Sequence, residues 1–260
     1  MCNLFNITWI DLKGFWSIWM FALLVVSGLF CTSMCMYVAD EASPMRDVMV
    51  IMLGGNGEGH PYSFLTVIVS LIPLSILLLW RGGYLEAELH QRCYYSILRT
   101  GNMSVWTLAK MINCLVISLL YVLMLLFLIC LLAPVKPFSE NQSLFLFSEM
   151  SFLISTPPLC FMLFSIIQAT TILLIQLFTM LAFVNSRLSA SFILLYTLCC
   201  FALPQWMAYL PVGSTLLAQG LARGQTYFQL FVISLVYILL LAIGIVIVCR
   251  KKIFLSKTAL

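Results

Sequence analysis

Residues 81–110 read RGGYLEAELHQRCYYSILRTGNMSVWTLAK, and this stretch decides the architecture of the chain. Arg81, Glu86, Glu88, Arg92, Arg99 and Lys110 are six of only 22 charged residues in 260, and they sit between two long apolar runs. A charged island in such surroundings is the point at which the chain leaves the apolar phase and turns back. Tyr84 to Leu98 reads as a short helix, with Glu86 four residues before His90 and Glu88 four before Arg92, both favourable orientations. Thr100-Gly101-Asn102 is a turn signal, and Ser104 is placed to cap a helix that re-enters through Trp106.

The composition outside the island fixes the solvent. The chain is 63% hydrophobic and 8% charged, against roughly 25% charged in a soluble domain. So few polar groups cannot cover a water-soluble surface of this size, which leaves lipid as the main solvent. Apolar runs at about 15–38, 63–80, 109–133, 158–184, 188–203 and 226–249 each suit a spanning helix, because backbone groups in hydrocarbon must bond to one another. The expected fold is an all-α membrane protein, a single transmembrane domain over residues 1–260 with six transmembrane helices. The run that ends near Val38-Ala39 is too long for the apolar core of a signal peptide, and it reads as an uncleaved first span.

Charge sets the expected orientation. With both termini cytoplasmic, Lys13, the basic residues of the 81–110 hairpin, Arg187 and the basic tail from Arg250 to Lys257 fall inside. Only Arg46, Lys136 and Arg223 fall outside, a positive-inside bias. The net charge of +4 is therefore explained by topology, and no basic patch interleaved with exposed aromatics points to nucleic acid. Residues 1–14 read as an N-terminal interfacial helix, with Leu4, Phe5, Trp9 and Leu12 on one face.

Catalytic and metal chemistry find little support. Gly54 to Gly59 is glycine-rich, but no Lys-Ser/Thr follows it to make a phosphate loop. His60 and His90 fall on opposite sides of the membrane. Cys31 and Cys35 share a helix face, yet buried cysteine is most often a small apolar packer, and no external loop carries a cysteine to form a disulfide framework. The interiors of the expected spans hold no ionisable group, which argues against a proton-coupled or sodium-coupled carrier, an intramembrane protease and a voltage sensor. No catalytic residue, metal site or cofactor of its own is expected. Ser165, Gln168, Thr171, Gln176 and Thr179 form a polar stripe roughly 140° wide on the fourth span, suited to a substrate path, a subunit interface or bonding between helices.

The interfacial start, the six spans, the run from Tyr95 to Gly101 through Trp106 to Lys110, and the loop Leu203-Pro204-Gln205-Trp206 to Pro211 together resemble the type-2 ABC transporter permease family. The similarity is to the small permease subunits of bacterial peptide and lantibiotic export or immunity systems. That resemblance implies a permease without ATPase activity, in the bacterial cytoplasmic membrane, paired with a second permease chain. It also implies a cytoplasmic ABC ATPase subunit that holds ATP and Mg and docks on the hairpin. Gly83, Glu86, Glu88, His90, Arg92 and Arg99 would form the coupling element, and Asp11 would be the acidic residue of the interfacial helix. The loop before the last span, 204–225, would fold into re-entrant helices. The rival expectation is a non-transporting membrane scaffold, or a membrane enzyme with an unrecognised site.

Overall fold

The computed structural model describes residues 8–9, 13, 18–38, 64–89, 103–132, 158–183, 185–202, 210–212 and 224–258. They form six α-helices: α1 (Ile18–Val38), α2 (Phe64–Ala87), α3 (Met103–Leu132), α4 (Pro158–Phe183), α5 (Ser186–Ala202) and α6 (Tyr227–Thr258). The described chain is all-helical. Stretches within α3, α4 and α6 (Val105–Leu131, Leu159–Ala182 and Tyr227–Arg250) are long and apolar enough to cross a bilayer, the mark of a membrane protein. At 17 residues, α5 reaches only about 26 Å by helical rise, a little short of a hydrocarbon core.

The helix ends follow local chemistry. Asn185 caps α5, its Oδ1 accepting from the Arg187 and Leu188 amides at 3.1 and 3.2 Å. At the start of α6, the Thr226 amide donates to Gln229 Oε1 (2.9 Å) and the Gln229 amide to Thr226 Oγ1 (3.3 Å), a reciprocal capping box. Gly224, two residues earlier, turns the chain with φ +74°, a conformation that costs glycine little. Pro158 opens α4, where its missing N–H has no helical partner to lose. Pro73 lies inside α2 and deprives the Val69 carbonyl of its usual donor.

The bundle is organised around α4, which packs against α2, α3, α5 and α6. Its spanning window is 72% buried, whereas that of α6 is 11% buried. The first is the axis of the bundle, and the second lies against its outside. Phe228, Val232, Leu235, Leu239 and Ile243 form an exposed apolar ribbon down α6, as expected of a lipid-facing helix. In hydrocarbon, burial of apolar groups does not drive helix association. Close packing and interhelical hydrogen bonds hold such a bundle together.

The α2–α3 and α4–α5 connections lie at the same end of the bundle, joined there by a hydrogen bond from the Ser186 hydroxyl to the Glu86 carboxylate. Residues 81–87 continue α2 beyond the expected end of the second span at 80, whereas α3 starts at Met103, next to the expected cap at Ser104 and ahead of the span bound at 109. Of the N-terminal helix, Thr8, Trp9 and Lys13 are described as helical, with the Lys13 ammonium 5.5 Å from the centre of the Trp9 ring. The rest of that helix, with Asp11, lies outside the described residues, as do Gly54 to Gly59, His60, His90, Arg92, Arg99 and most of the loop 204–225. The Cys35 side chain is likewise not among those described.

Candidate functional site

The sequence Leu78-Leu79-Trp80-Arg81-Gly82-Gly83-Tyr84-Leu85-Glu86-Ala87-Glu88 covers the last turns of α2 and the residue that follows it, and builds the site. Arg81 and Glu88 are seven residues apart, which places them within about 20° of each other on one helix face. On the antiparallel α3, Trp106, Lys110 and Cys114 recur every four residues and face them. Glu88 therefore meets Trp106 and Lys110, while Arg81, two turns further in, meets Cys114.

Lys110 Nζ lies 2.5 Å from Glu88 Oε2, and Trp106 Nε1 donates to Glu88 Oε1 at 3.4 Å. The ammonium also sits 5.4 Å from the Trp106 ring centre and 6.0 Å from that of Tyr84. Lys110 is 1% exposed and Glu88 4%. Helical side chains lean toward the N-terminus of their own helix. Lys110, about two turns into α3, is thereby aimed back at Glu88. A lysine this buried needs such a partner, since taking a bare charge out of water costs several kcal/mol, roughly, even after the protein relaxes.

Arg81 is compensated differently. Its Nη1 donates to the Leu173 carbonyl of α4 at 3.1 Å and its Nη2 to Cys114 Sγ at 2.6 Å, and the residue is 3% exposed. Both acceptors are neutral, and among the described residues no carboxylate pairs with it. Cys114 in turn donates its thiol hydrogen to the Lys110 carbonyl at 3.1 Å.

The same stretch of α2 binds α4 and α5. Gln176 Nε2 donates to the Leu78 carbonyl at 2.5 Å. Gly82 permits this approach, because a Cβ there would stand 3.1 Å from Gln176 Nε2 and from Ser186 Cβ. Glu86 receives the Ser186 hydroxyl at the first residue of α5, where a carboxylate also faces the positive end of the helix dipole. Thr179 and Ser189 share a hydrogen bond of 2.5 Å between α4 and α5. The eleven residues from Leu78 to Glu88 thus fasten three other helices in a polar layer about three helical turns deep.

Of the coupling residues expected from sequence, Glu86 and Glu88 are joined to this layer, Glu86 half-buried on Ser186 and Glu88 buried on Lys110. Gly83 faces open space, with nothing within 4 Å of where a Cβ would stand. The polar stripe of α4 lies mainly inside the bundle. Ser165 and Thr171 bond to the carbonyls of Phe161 and Ile167 one turn back, Gln176 and Thr179 reach other helices, and Gln168 is partly exposed. An apolar groove of about 450 Å³ runs between α2 and α5, lined by Leu71, Ile72, Leu194 and Leu198 with Ser75 and Ser191. Among the described residues, no three His, Cys, Asp or Glu side chains come together as a metal site would require.

The expectation that the span interiors lack ionisable groups needs correction at Lys110, which lies within the apolar stretch Val105–Leu131. Lys110 and Arg81 are helical and buried, and their charges are met by a carboxylate, two aromatic rings, a carbonyl and a thiol. Sequence reasoning treats them as flanking topology markers and overlooks Trp106, Cys114, Ser186 and Ser189. The available signal is the seven-residue spacing of Arg81 and Glu88 set against the four-residue repeat of Trp106, Lys110 and Cys114. No family model, curated protein or solved structure matches the chain.

Proposed function

We propose that this chain is the permease subunit of an ATP-driven ABC exporter, a multi-pass protein of the cell membrane that moves a peptide or another amphipathic molecule. It would cross the bilayer six times, with both termini and the 81–110 hairpin in the cytoplasm. ATP and Mg would be held by a separate ATPase subunit, and a second permease chain, identical or related, would complete the pathway.

The observation that carries this reading is the clamped hairpin. The two arms entering and leaving residues 90–102 are joined by Glu88 and Lys110, and the first arm is hydrogen-bonded to α4 and α5. A push delivered at 90–102 would be passed to four helices together instead of being absorbed by a loose loop. That is what an ATPase-driven rocking motion needs. Affinity purification of the chain from its native membranes tests it, and a Walker-motif ATPase should co-purify and crosslink to residues 90–102. Robust ATP turnover by the chain alone, or no ATPase partner at all, would overturn the reading.

One observation favours the non-transporting scaffold. Most of the α4 stripe bonds within this one chain, and none of its hydroxyls opens onto the α2–α5 groove. Transport of a labelled peptide by vesicles containing chain and ATPase separates the two readings.

A further inference from the structure

The apolar groove between α2 and α5 has a cation at its head. On α5 its wall is Ser191, Leu194, Leu195 and Leu198, four positions that share an arc of about 100° around the helix axis. Arg187, four residues before Ser191, falls inside the same arc in the first turn of α5. Helical side chains lean toward the N-terminus of their helix, which directs Arg187 to the end of the bundle where the chain turns. Arg187 is exposed there. Glu86 engages the neighbouring Ser186 hydroxyl, and among the described residues no carboxylate forms an ion pair with Arg187.

Below that head the groove is hydrocarbon. The Ser75 hydroxyl is turned onto the Ile72 carbonyl at 2.7 Å, which leaves Leu71, Ile72, Leu194 and Leu198 to set the character of the walls. Leu195 and Leu198 are exposed, so the groove opens sideways to the lipid phase. From Arg187 to Leu198 is eleven residues. By helical rise that is about 16 Å, half of a hydrocarbon core roughly 30 Å thick and hence the depth of one leaflet. A transmembrane helix would cross both leaflets and seats best on small residues, whereas leucine and isoleucine dominate these walls. A negative head on an apolar tail one leaflet long matches both the charge and the depth.

We propose that the α2–α5 groove holds one anionic phospholipid. Its phosphate lies on the Arg187 guanidinium, whose planar fork matches two phosphate oxygens. Ser191, exposed and one turn deeper, donates to an ester carbonyl, and an acyl chain fills the seam between the helices. The inference concerns the folded bundle and holds whether or not an ATPase drives it.

Native mass spectrometry of the delipidated full-length chain in detergent tests this, with phosphatidylglycerol, phosphatidylcholine of the same acyl chains, or inorganic phosphate added. One phosphatidylglycerol should bind per chain, about fivefold more tightly than phosphatidylcholine, the weight of one basic residue at an anionic surface. Arg187→Gln should abolish that preference, and Ser191→Phe, which puts a ring into the groove from an exposed position, should weaken binding of both lipids. Equal affinity for the two lipids, a preference that survives Arg187→Gln, or binding untouched by Ser191→Phe would overturn the proposal. So would inorganic phosphate that binds as tightly as phosphatidylglycerol, which would make Arg187 a site for a free anion. A dimer that Ser191→Phe dissolves would assign the groove to a second copy of the chain and overturn it as well.

Discussion

Lys110 Nζ and Glu88 Oε2, 22 residues apart in sequence, meet at 2.5 Å where α2 ends and α3 begins, and both residues are shielded from solvent. The pair closes the α2–α3 hairpin at its base, with the Trp106 indole as a second donor to the same carboxylate.

Breaking that pair from one side should be costly. Lys110→Met leaves a buried carboxylate uncompensated and is expected to destabilise by about 3–5 kcal/mol. Adding Glu88→Gln, which removes the orphaned charge and keeps an acceptor for Trp106, should recover most of the loss. Thermal unfolding in detergent of the two singles and the double forms a cycle, and additive losses would show that the two side chains are not coupled.

The adjacent glycines should respond in opposite directions. Gly82→Val forces branched carbon against Gln176 and Ser186 and should cost about 1–3 kcal/mol by overpacking. Gly83→Ala meets open space and should stabilise α2 by about 0.5–1 kcal/mol through reduced backbone freedom. Melting temperatures of the pair check both directions, and a destabilising Gly83→Ala would contradict the packing described.

Removing the cap of α5 should loosen one helix end. Asn185→Ala deprives the Arg187 and Leu188 amides of their acceptor and should cost about 1 kcal/mol. Hydrogen exchange should accelerate at those two amides ahead of the α4 interior. Uniform acceleration would mean that the cap stabilises the bundle as a whole.

The stripe residue Thr171 should have only a local effect. Its hydroxyl bonds to the Ile167 carbonyl of its own helix at 2.8 Å, so Thr171→Val should cost no more than about 1 kcal/mol, the net worth of one hydrogen bond. Transport in reconstituted vesicles should be unchanged, and a clear loss would return Thr171 to the substrate path.

Helix identity is legible in the sequence because apolar length is a direct consequence of lipid thickness. The all-helical character and the positions of α3, α4 and α6 follow from it. The ends of α2 and α3 are less legible. Charged residues normally mark the edge of a span, and a reading of one segment at a time cannot see that Glu88 and Lys110 neutralise each other across 22 positions. Gln176 illustrates the same limit. Its polar character is visible, but its partner is the Leu78 carbonyl, a backbone atom that any residue at that position would supply. The turn at Asn185 is plain from sequence, since capping is a local matter.

The phase of α2 has an evolutionary consequence. Arg81 and Glu88 share a face only because seven residues nearly complete two turns. Deleting or inserting one residue between them would swing Glu88 by about 100°, away from Lys110 and Trp106. This segment can exchange many of its side chains, but its length is fixed, and indels that loops elsewhere would absorb should be lethal to the fold here.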